Sequence, residues 1–312
     1  MKYKVLITAP PILPKVDNYI DIFNSKDVEV IIPKYEVLES LNEEQLNELL
    51  IDIDGILCGD DCLSSSVIKS ANKLKVISKW GTGIDSIDTK AAEEKGIEVK
   101  RVADIFGPPV SETVIGYILL FNRNLIKKDN VVRENKWAKV KSFLMREKTL
   151  GIVGLGHIGK ELAKKALSFG MKVQFCDIKD IEIPHEISSI NKVSFEELLG
   201  TSDFISIHCD LNKTSQKLFG EKEFLKMKDD SIIINTARGQ IIDEVSLIDA
   251  LKKDLIGAAA IDVFEEEPLP ITSELRGFKN VIFSPHNSNG SPMIFNRVDE
   301  LAIQNIFKVL GI

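Results

Sequence analysis

Gly154, Gly156 and Gly159 stand in the order Gly-x-Gly-x-x-Gly, directly after the apolar run 149–153. A helical pattern of Ile158, Leu162, Ala163, Ala166 and Leu167 follows and closes at Gly170. A short apolar run of this kind is a buried parallel strand, and a glycine suits the end of a helix. The three glycines carry a chemistry. The first allows a tight turn, the second lets the backbone approach a pyrophosphate, and the third lets the helix pack close to the strand. The helix start adds unpaired N–H groups and a partial positive charge. A second apolar run, 172–176, ends in Asp177, 18 residues past Gly159. A carboxylate there accepts hydrogen bonds from ribose hydroxyls and repels a 2′-phosphate, which favours NAD over NADP. Lys179 lies close by, but a lone lysine beside an aspartate is a weak pointer to NADP. Taken alone, the glycine spacing also fits a plain strand–helix turn. Strand, helix, second strand and acid together, within about 30 residues, point to dinucleotide binding.

Three further ionisable residues follow apolar runs in the second half of the chain. In open α/β sheets ligands bind beyond the carboxyl ends of the strands, which is where these residues fall. Arg238, in Asn-Thr-Ala-Arg-Gly, can hold a carboxylate bidentately; its other reading is a surface ion pair. Glu267 closes the run Glu265-Glu266-Glu267 before Pro268, and spacing alone does not choose among three glutamates that also read as a solvated acidic loop. His286, one of four histidines, follows Ser284-Pro285 and has a structural reading as well. Together the three make chemical sense. Hydride transfer to a 2-oxo acid needs a cation for the carboxylate and a proton donor for the oxygen that becomes a hydroxyl. A carboxylate beside His286 would hold its tautomer and raise its pKa.

The elements that position these residues alternate in the order of a doubly wound sheet. Before the glycine motif, strands are expected at 3–9, 28–32, 53–58, 75–80 and 97–102. Helices fall between them, one capped by Asn42 and one running from the Asp88 cap to Lys95. This order implies a parallel sheet of its own. Gly107-Pro108-Pro109 then starts a long helix, 110 to about 126, read as the crossing between two domains. The pair Lys127-Lys128 reads as its solvated end. After Asp177, strands are expected at 204–209, 231–236, 256–263 and 281–284, about six in the second sheet counting the two around the glycine motif. An amphipathic tail, 293–310, is expected to return to the first domain. The domains are therefore placed at 1–103 with 286–312, and at 104–285.

Composition sets bounds. The chain has 312 residues, long for one core and comfortable for two. A net charge of −7 argues against nucleic acid as a partner. The longest apolar stretch, near 114–121, is too short to span a bilayer, and the first residues are too short for a signal segment, so no membrane is expected. Cys58 and Cys62 are neighbours without a second pair at zinc spacing, so no metal is expected, and Cys176 and Cys209 read as small buried thiols at strand ends. Free thiols suggest the cytoplasm.

With these residues in view, the chain resembles the D-isomer-specific 2-hydroxyacid dehydrogenase family, and more narrowly its phosphoglycerate dehydrogenase-like branch. The resemblance runs over about residues 2–310 and rests on Gly154-Leu-Gly156-His-Ile-Gly159, Asn235-Thr-Ala-Arg238-Gly-Gln-Ile-Ile-Asp243, Ala260-Ile-Asp262-Val-Phe-Glu-Glu-Glu267-Pro268 and Ser284-Pro-His286. In the first domain, Gly81-Thr-Gly83-Ile-Asp-Ser-Ile-Asp88 matches the family's substrate loop. The resemblance implies an NAD-binding Rossmann domain inserted into a flavodoxin-like substrate domain, and hydride transfer between NAD(H) and C2 of a 2-hydroxy or 2-oxo acid, with 3-phosphoglycerate a candidate.

It further implies that Arg238 binds the substrate carboxylate and carbonyl, that Glu267 pairs with His286, and that His286 is the acid/base. The amides of Gly81, Thr82 and Gly83 would hold the carboxylate, and Lys79 would contact a phosphate, its other reading being an exposed strand-end lysine. His157 and Ile158 would offer amides to the pyrophosphate, Cys209, Thr236 and Ala237 would line the cofactor cleft, and Asp262 would face the nicotinamide ring. Closure of the two domains would exclude water. Relatives dimerise through the long helix and its neighbours, so a homodimer is expected.

Departures from the pattern concern substrate: Cys209-Asp210 where a proline usually follows, His157 for an arginine, and Asn287-Ser-Asn-Gly-Ser-Pro292 after His286. No regulatory domain is expected after residue 312. The competing reading is a non-enzymatic NAD(H)-sensing dimer, of the kind of the dehydrogenase-related corepressors, which keep the same triad.

Overall fold

A computed structural model describes all residues, 1–312. By its internal contacts the chain forms two compact units, Met1–Ile105 with Ser291–Ile312, and Phe106–Gly290. The first unit is built on five parallel strands: β1 (Tyr3–Ile7), β2 (Val28–Ile31), β3 (Gly55–Cys58), β4 (Val76–Lys79) and β5 (Glu98–Arg101). Their order, β2-β1-β3-β4-β5, is that of flavodoxin-like sheets. Every residue of β3 and β4 is buried, as expected of strands covered on both faces. Leu6, Ile56 and Ile77 pack with Leu46, Val67, Ile68 and Ala91 of the short helices. These helices start where the sequence marks them. Asn42 accepts from the Gln45 amide while the Gln45 side chain accepts from the Asn42 amide, and Asp88 accepts from the Ala91 amide at 2.9 Å. The long helix Pro292–Leu310 lies against β3, β4 and β5, and Ser78 Oγ of β4 donates to its Ala302 carbonyl at 2.8 Å.

The second unit carries seven parallel strands: β6 (Thr149–Val153), β7 (Lys172–Cys176), β8 (Asn191–Lys192), β9 (Phe204–Ile207), β10 (Ile232–Asn235), β11 (Ala258–Ile261) and β12 (Val281–Phe283). The order β12-β11-β10-β9-β6-β7-β8 is the Rossmann order with one strand added beyond the sixth. The two doubly wound sheets expected from the sequence are present. On one face Leu150, Ile152, Phe175 and Phe204 pack against Val114 and Ile118 of helix Gly107–Asn122 and against Leu162, Ala163 and Ala166 of helix His157–Ser168. On the other, Ile205, Ile207 and Ile233 meet Leu247 and Leu251. No helix is long and apolar enough to cross a membrane.

Two details differ from the sequence reading. The long helix stops at Asn122 rather than near 126, because Asn124 takes a left-handed conformation (φ 49°) that an asparagine tolerates, and a new helix runs Leu125–Arg133. Lys127 and Lys128 therefore fall in the first turn of this second helix and not at the end of the long one, and Lys128 donates to Ser142 Oγ at 2.7 Å. The second sheet also has seven strands, since Asn191–Lys192 pairs with Gln174 and Phe175 of β7.

Candidate active site

The register of the seven-stranded sheet sets the site residues in one row. Cys176, Val153, Ile207, Asn235, Ile261 and Phe283 are successive partners at the carboxyl ends of β7, β6, β9, β10, β11 and β12. Asp177, Gly154, Cys209, Thr236 to Arg238, Asp262 and His286 all lie within three residues past that row.

Gly154 has φ +92°, and a Cβ on it would sit 2.6 Å from the Cys209 amide nitrogen. A side chain is excluded twice there, by backbone angle and by the neighbouring chain. On Gly159 a Cβ would lie 2.4 Å from the Gly154 carbonyl oxygen, whereas on Gly156 it would meet nothing within 4 Å. The first and third glycines therefore serve packing, while the second leaves open space over the helix start. Helix His157–Ser168 begins with no side chain capping it, so its first amides have no partner from the chain's own side chains. The Asp177 carboxylate is fixed by amides, Leu155 donating to Oδ2 and Lys179 to Oδ1, each at 2.8 Å. Burial pushes the Cys176 and Cys209 thiols up to about 12 and about 11, so both stay protonated.

Past β10, Asn235 shapes the turn that presents Arg238: its Nδ2 donates to the Arg238 carbonyl at 2.8 Å and its Oδ1 accepts from the Ala237 amide at 3.0 Å. Gly239 lets this turn touch the next loop, since a Cβ on it would fall 1.9 Å from the Phe264 carbonyl carbon. That loop ends in Glu267, and of the three consecutive glutamates it is this one that engages the histidine. Glu267 Oε2 lies 2.8 Å from His286 Nδ1, and its Oε1 accepts from the Phe264 amide at 2.8 Å. Glu265 turns elsewhere, accepting from the Glu244 amide at 3.2 Å. His286 itself has φ 49°, a conformation costing a residue with a Cβ about 1 kcal/mol or more. Another histidine, His208, is partly buried, with Nε2 2.8 Å from Ser206 Oγ, and burial holds its pKa down to about 3.

In the first unit, the loop after β4 begins at Gly81 (φ +136°). It is tied to the end of β5 by Thr82 Oγ1, which donates to the Val102 carbonyl at 3.0 Å, and by the Val102 amide donating to the Gly81 carbonyl at 3.0 Å. Lys79 corrects the alternative of an exposed strand-end lysine. Its side chain is only 3% exposed, with Nζ 2.9 Å from Asp60 Oδ1. Asp60 was not singled out from the sequence; an acid two residues past β3, beside the β4 lysine, was the available signal.

Residues 115–288 match the model of the D-isomer specific 2-hydroxyacid dehydrogenase, NAD binding domain. The chain belongs to that family. This D-2-hydroxyacid dehydrogenase is 33% identical to the hydroxypyruvate reductase of Thermotoga maritima, over 100% of this chain and 99% of that one. It is 35% identical to the D-3-phosphoglycerate dehydrogenase of Methanocaldococcus jannaschii over 89% of its own length, which is 54% of that protein's. Among solved structures it is similar to a glyoxylate reductase from Paecilomyes thermophila, with a TM-score of 0.84, 25% identity, and 99% and 96% of the two chains covered.

The dehydrogenase is an NAD-dependent oxidoreductase acting on a 2-hydroxy acid, and NAD(H) is its cofactor. The seven-stranded unit fits such a group. It offers an uncapped helix start, an open face over Gly156, and the buried hydroxyl of Thr236, which has no hydrogen-bond partner of its own. An orphaned buried hydroxyl costs about 1–3 kcal/mol unless a ligand satisfies it.

Proposed function

We propose that this dehydrogenase reduces a short, unphosphorylated 2-oxo acid to the D-2-hydroxy acid with NADH. The observation that carries the reading is the bond between Glu267 and His286 Nδ1, at 2.8 Å. A carboxylate on Nδ1 fixes the ring so that Nε2 handles the substrate proton, and it stabilises the charged imidazolium. NADH, when bound, supplies the hydride to C2. His286 gives its proton to the carbonyl oxygen as that oxygen becomes a hydroxyl. Arg238 holds the carboxylate and polarises the carbonyl. The amides of Gly81, Thr82 and Gly83 are proposed, on the family resemblance, as further donors to the carboxylate. For the cofactor, we assign the pyrophosphate to Gly154, Gly156, Gly159 and the amides of His157 and Ile158. The ribose hydroxyls go to Asp177, and the lining of the cofactor site to Cys209, Thr236 and Ala237. The five-stranded unit then serves substrate and the seven-stranded unit NAD(H).

Substrate choice rests on Lys79. Its charge is met by Asp60 in a nearly closed setting, so a phosphate would have to displace a carboxylate and bind beside it. The near full-length similarity to a hydroxypyruvate reductase supports the same choice. NADH oxidation should be measured against glyoxylate, hydroxypyruvate, pyruvate and phosphohydroxypyruvate. A higher kcat/KM for an unphosphorylated acid is expected; a preference for phosphohydroxypyruvate overturns the substrate assignment and returns Lys79 to phosphate binding. If NADH binds and no acid reacts, the sensing reading takes its place.

We also propose a homodimer in the cytoplasm. Helix Leu125–Arg133 and the chain after it leave Leu125, Ile126, Val132, Leu144 and Trp137 exposed, the last at 88%, and all four cysteines are free. Light scattering should give twice the chain mass, and Trp137→Glu should shift it toward monomer.

A further inference from the structure

His286 keeps a backbone conformation that is rare for a residue with a side chain, and such a conformation persists only where its surroundings enforce it. Asp262, one residue past β11, supplies most of that enforcement. Its carbonyl oxygen accepts from the His286 amide at 2.8 Å. Its Oδ1 accepts from the Asn287 amide at 2.9 Å, and its Oδ2 from the Ser288 amide at 3.0 Å. One aspartate therefore takes three consecutive amides, beginning at the strained residue. Asp262 is itself 0% exposed, and its own amide donates to the Asn235 carbonyl at 3.0 Å, which ties it to β10. A second anchor comes from helix Gly107–Asn122, whose Thr113 Oγ1 donates to the Ser288 carbonyl at 2.8 Å.

The family resemblance gives Asp262 to the nicotinamide ring; the bonds it makes within the chain add a second task. We propose that Asp262 is the positioning residue of the acid/base, with Thr113 as its auxiliary: together they hold the 286–288 backbone so that the imidazole meets Glu267 on one side and the substrate oxygen on the other. This rests on the reading of His286 as proton donor. A carboxylate suits the task because both of its oxygens accept, so two adjacent amides are bound without a donor facing a donor. The turn after His286 needs two free amides in succession, so proline is excluded at 287 and 288.

The test compares Asp262→Asn, Thr113→Val and the double variant, with His286→Gln as reference. Turnover is followed with hydroxypyruvate, NADH affinity by fluorescence titration, and folding by Tm. Asp262→Asn puts an NH2 group where an amide N–H must be accepted, and small displacements at a reacting group cost up to about a hundredfold. The expected result is a kcat lower by at least about tenfold, with NADH Kd within about twofold of wild type. The solvent deuterium isotope effect on kcat should rise as proton transfer becomes slower. Thr113→Val should show the same pattern more weakly, and the double variant should lose less than the product of the two, because both anchors hold one segment. Loss of NADH affinity in proportion to kcat in Asp262→Asn, with Thr113→Val silent, overturns the proposal in favour of a cofactor contact. If Asp262→Asn does not fold, a Thr113→Val enzyme with unchanged kcat and isotope effect overturns it. A crippled His286→Gln beside an unaffected Asp262→Asn overturns the positioning role alone. A silent His286→Gln overturns the acid/base reading and the positioning role with it.

Discussion

At the carboxyl edge of the five-stranded sheet, Asp61 is fully buried and accepts from Thr8 Oγ1 at 2.6 Å and from the Leu41 and Gly59 amides at 2.7 and 3.0 Å. Nearby, Lys79 is closed by Asp60, and Asp299 takes the Trp80 indole N–H and the Tyr19 hydroxyl, each at 2.7 Å. At the same edge of the seven-stranded sheet, Asp262 is matched in the same way, but other groups beside it are not. A helix begins without a cap, Thr236 keeps a buried hydroxyl without a partner, and a histidine is held in a strained backbone. Two sheets of the same parallel kind thus treat polarity differently. Around Asp61, Lys79 and Asp299 the charged groups are matched from within and build structure; at Thr236 and His286 a hydroxyl is left over and strain is stored, beside the residues assigned to cofactor and proton transfer.

Substitutions separate these two uses. The largest effect is expected of His286→Gln, which should lower kcat about 10³-fold, the range of a lost general acid, while leaving Tm nearly unchanged. Asp299→Asn on the other sheet should do the reverse: about 2–3 kcal/mol of folding stability lost in denaturant titration, with NADH Kd unchanged. If it weakens NADH instead, the contrast between the edges fails. Thr236→Val sharpens it, because the apo protein should not lose stability on shedding an orphaned hydroxyl, yet NADH Kd should rise about five- to tenfold, about 1 kcal/mol. The last test is pH-dependent and concerns His208. Its folded pKa of about 3 lies below the unfolded value of 6.5, so the unfolded state takes up the proton first. The stability it contributes is whole above pH 6.5 and is lost as pH falls toward 3, so wild-type Tm should drop more steeply over that window than that of His208→Asn.

The sequence makes the seven-stranded edge easier to read than the other. A glycine pattern announces itself because backbone approach admits no side chain at Gly154, and Arg238, Glu267 and His286 each follow a recognisable apolar run. The choice among three glutamates came from family resemblance, since only the fold turns Glu267 toward the ring and Glu265 toward the Glu244 amide. The pairing of Lys79 with Asp60 was hidden because Asp60 follows β3 while Lys79 ends β4, and the two are brought together by strand register and not by spacing. The three amides on Asp262 were hidden for the same reason. The break at Asn124 escaped because apolar residues on both sides continue the helical period, and the left-handed angle of one asparagine leaves no mark on that period. Two-residue β8 is too short to show alternation at all.

Helix Pro292–Leu310 has a consequence for how the molecule is made. It buries Val298, Ala302, Ile303 and Ile306, and it lies against strands encoded about two hundred positions earlier. As the polypeptide leaves the ribosome, all of Phe106–Gly290 is available to collapse before this helix exists. Residues 1–105 must meanwhile wait with one face of β3 and β4 uncovered. At about 5–20 residues per second that wait lasts on the order of ten seconds or more, time in which the uncovered strands present apolar surface on the nascent chain.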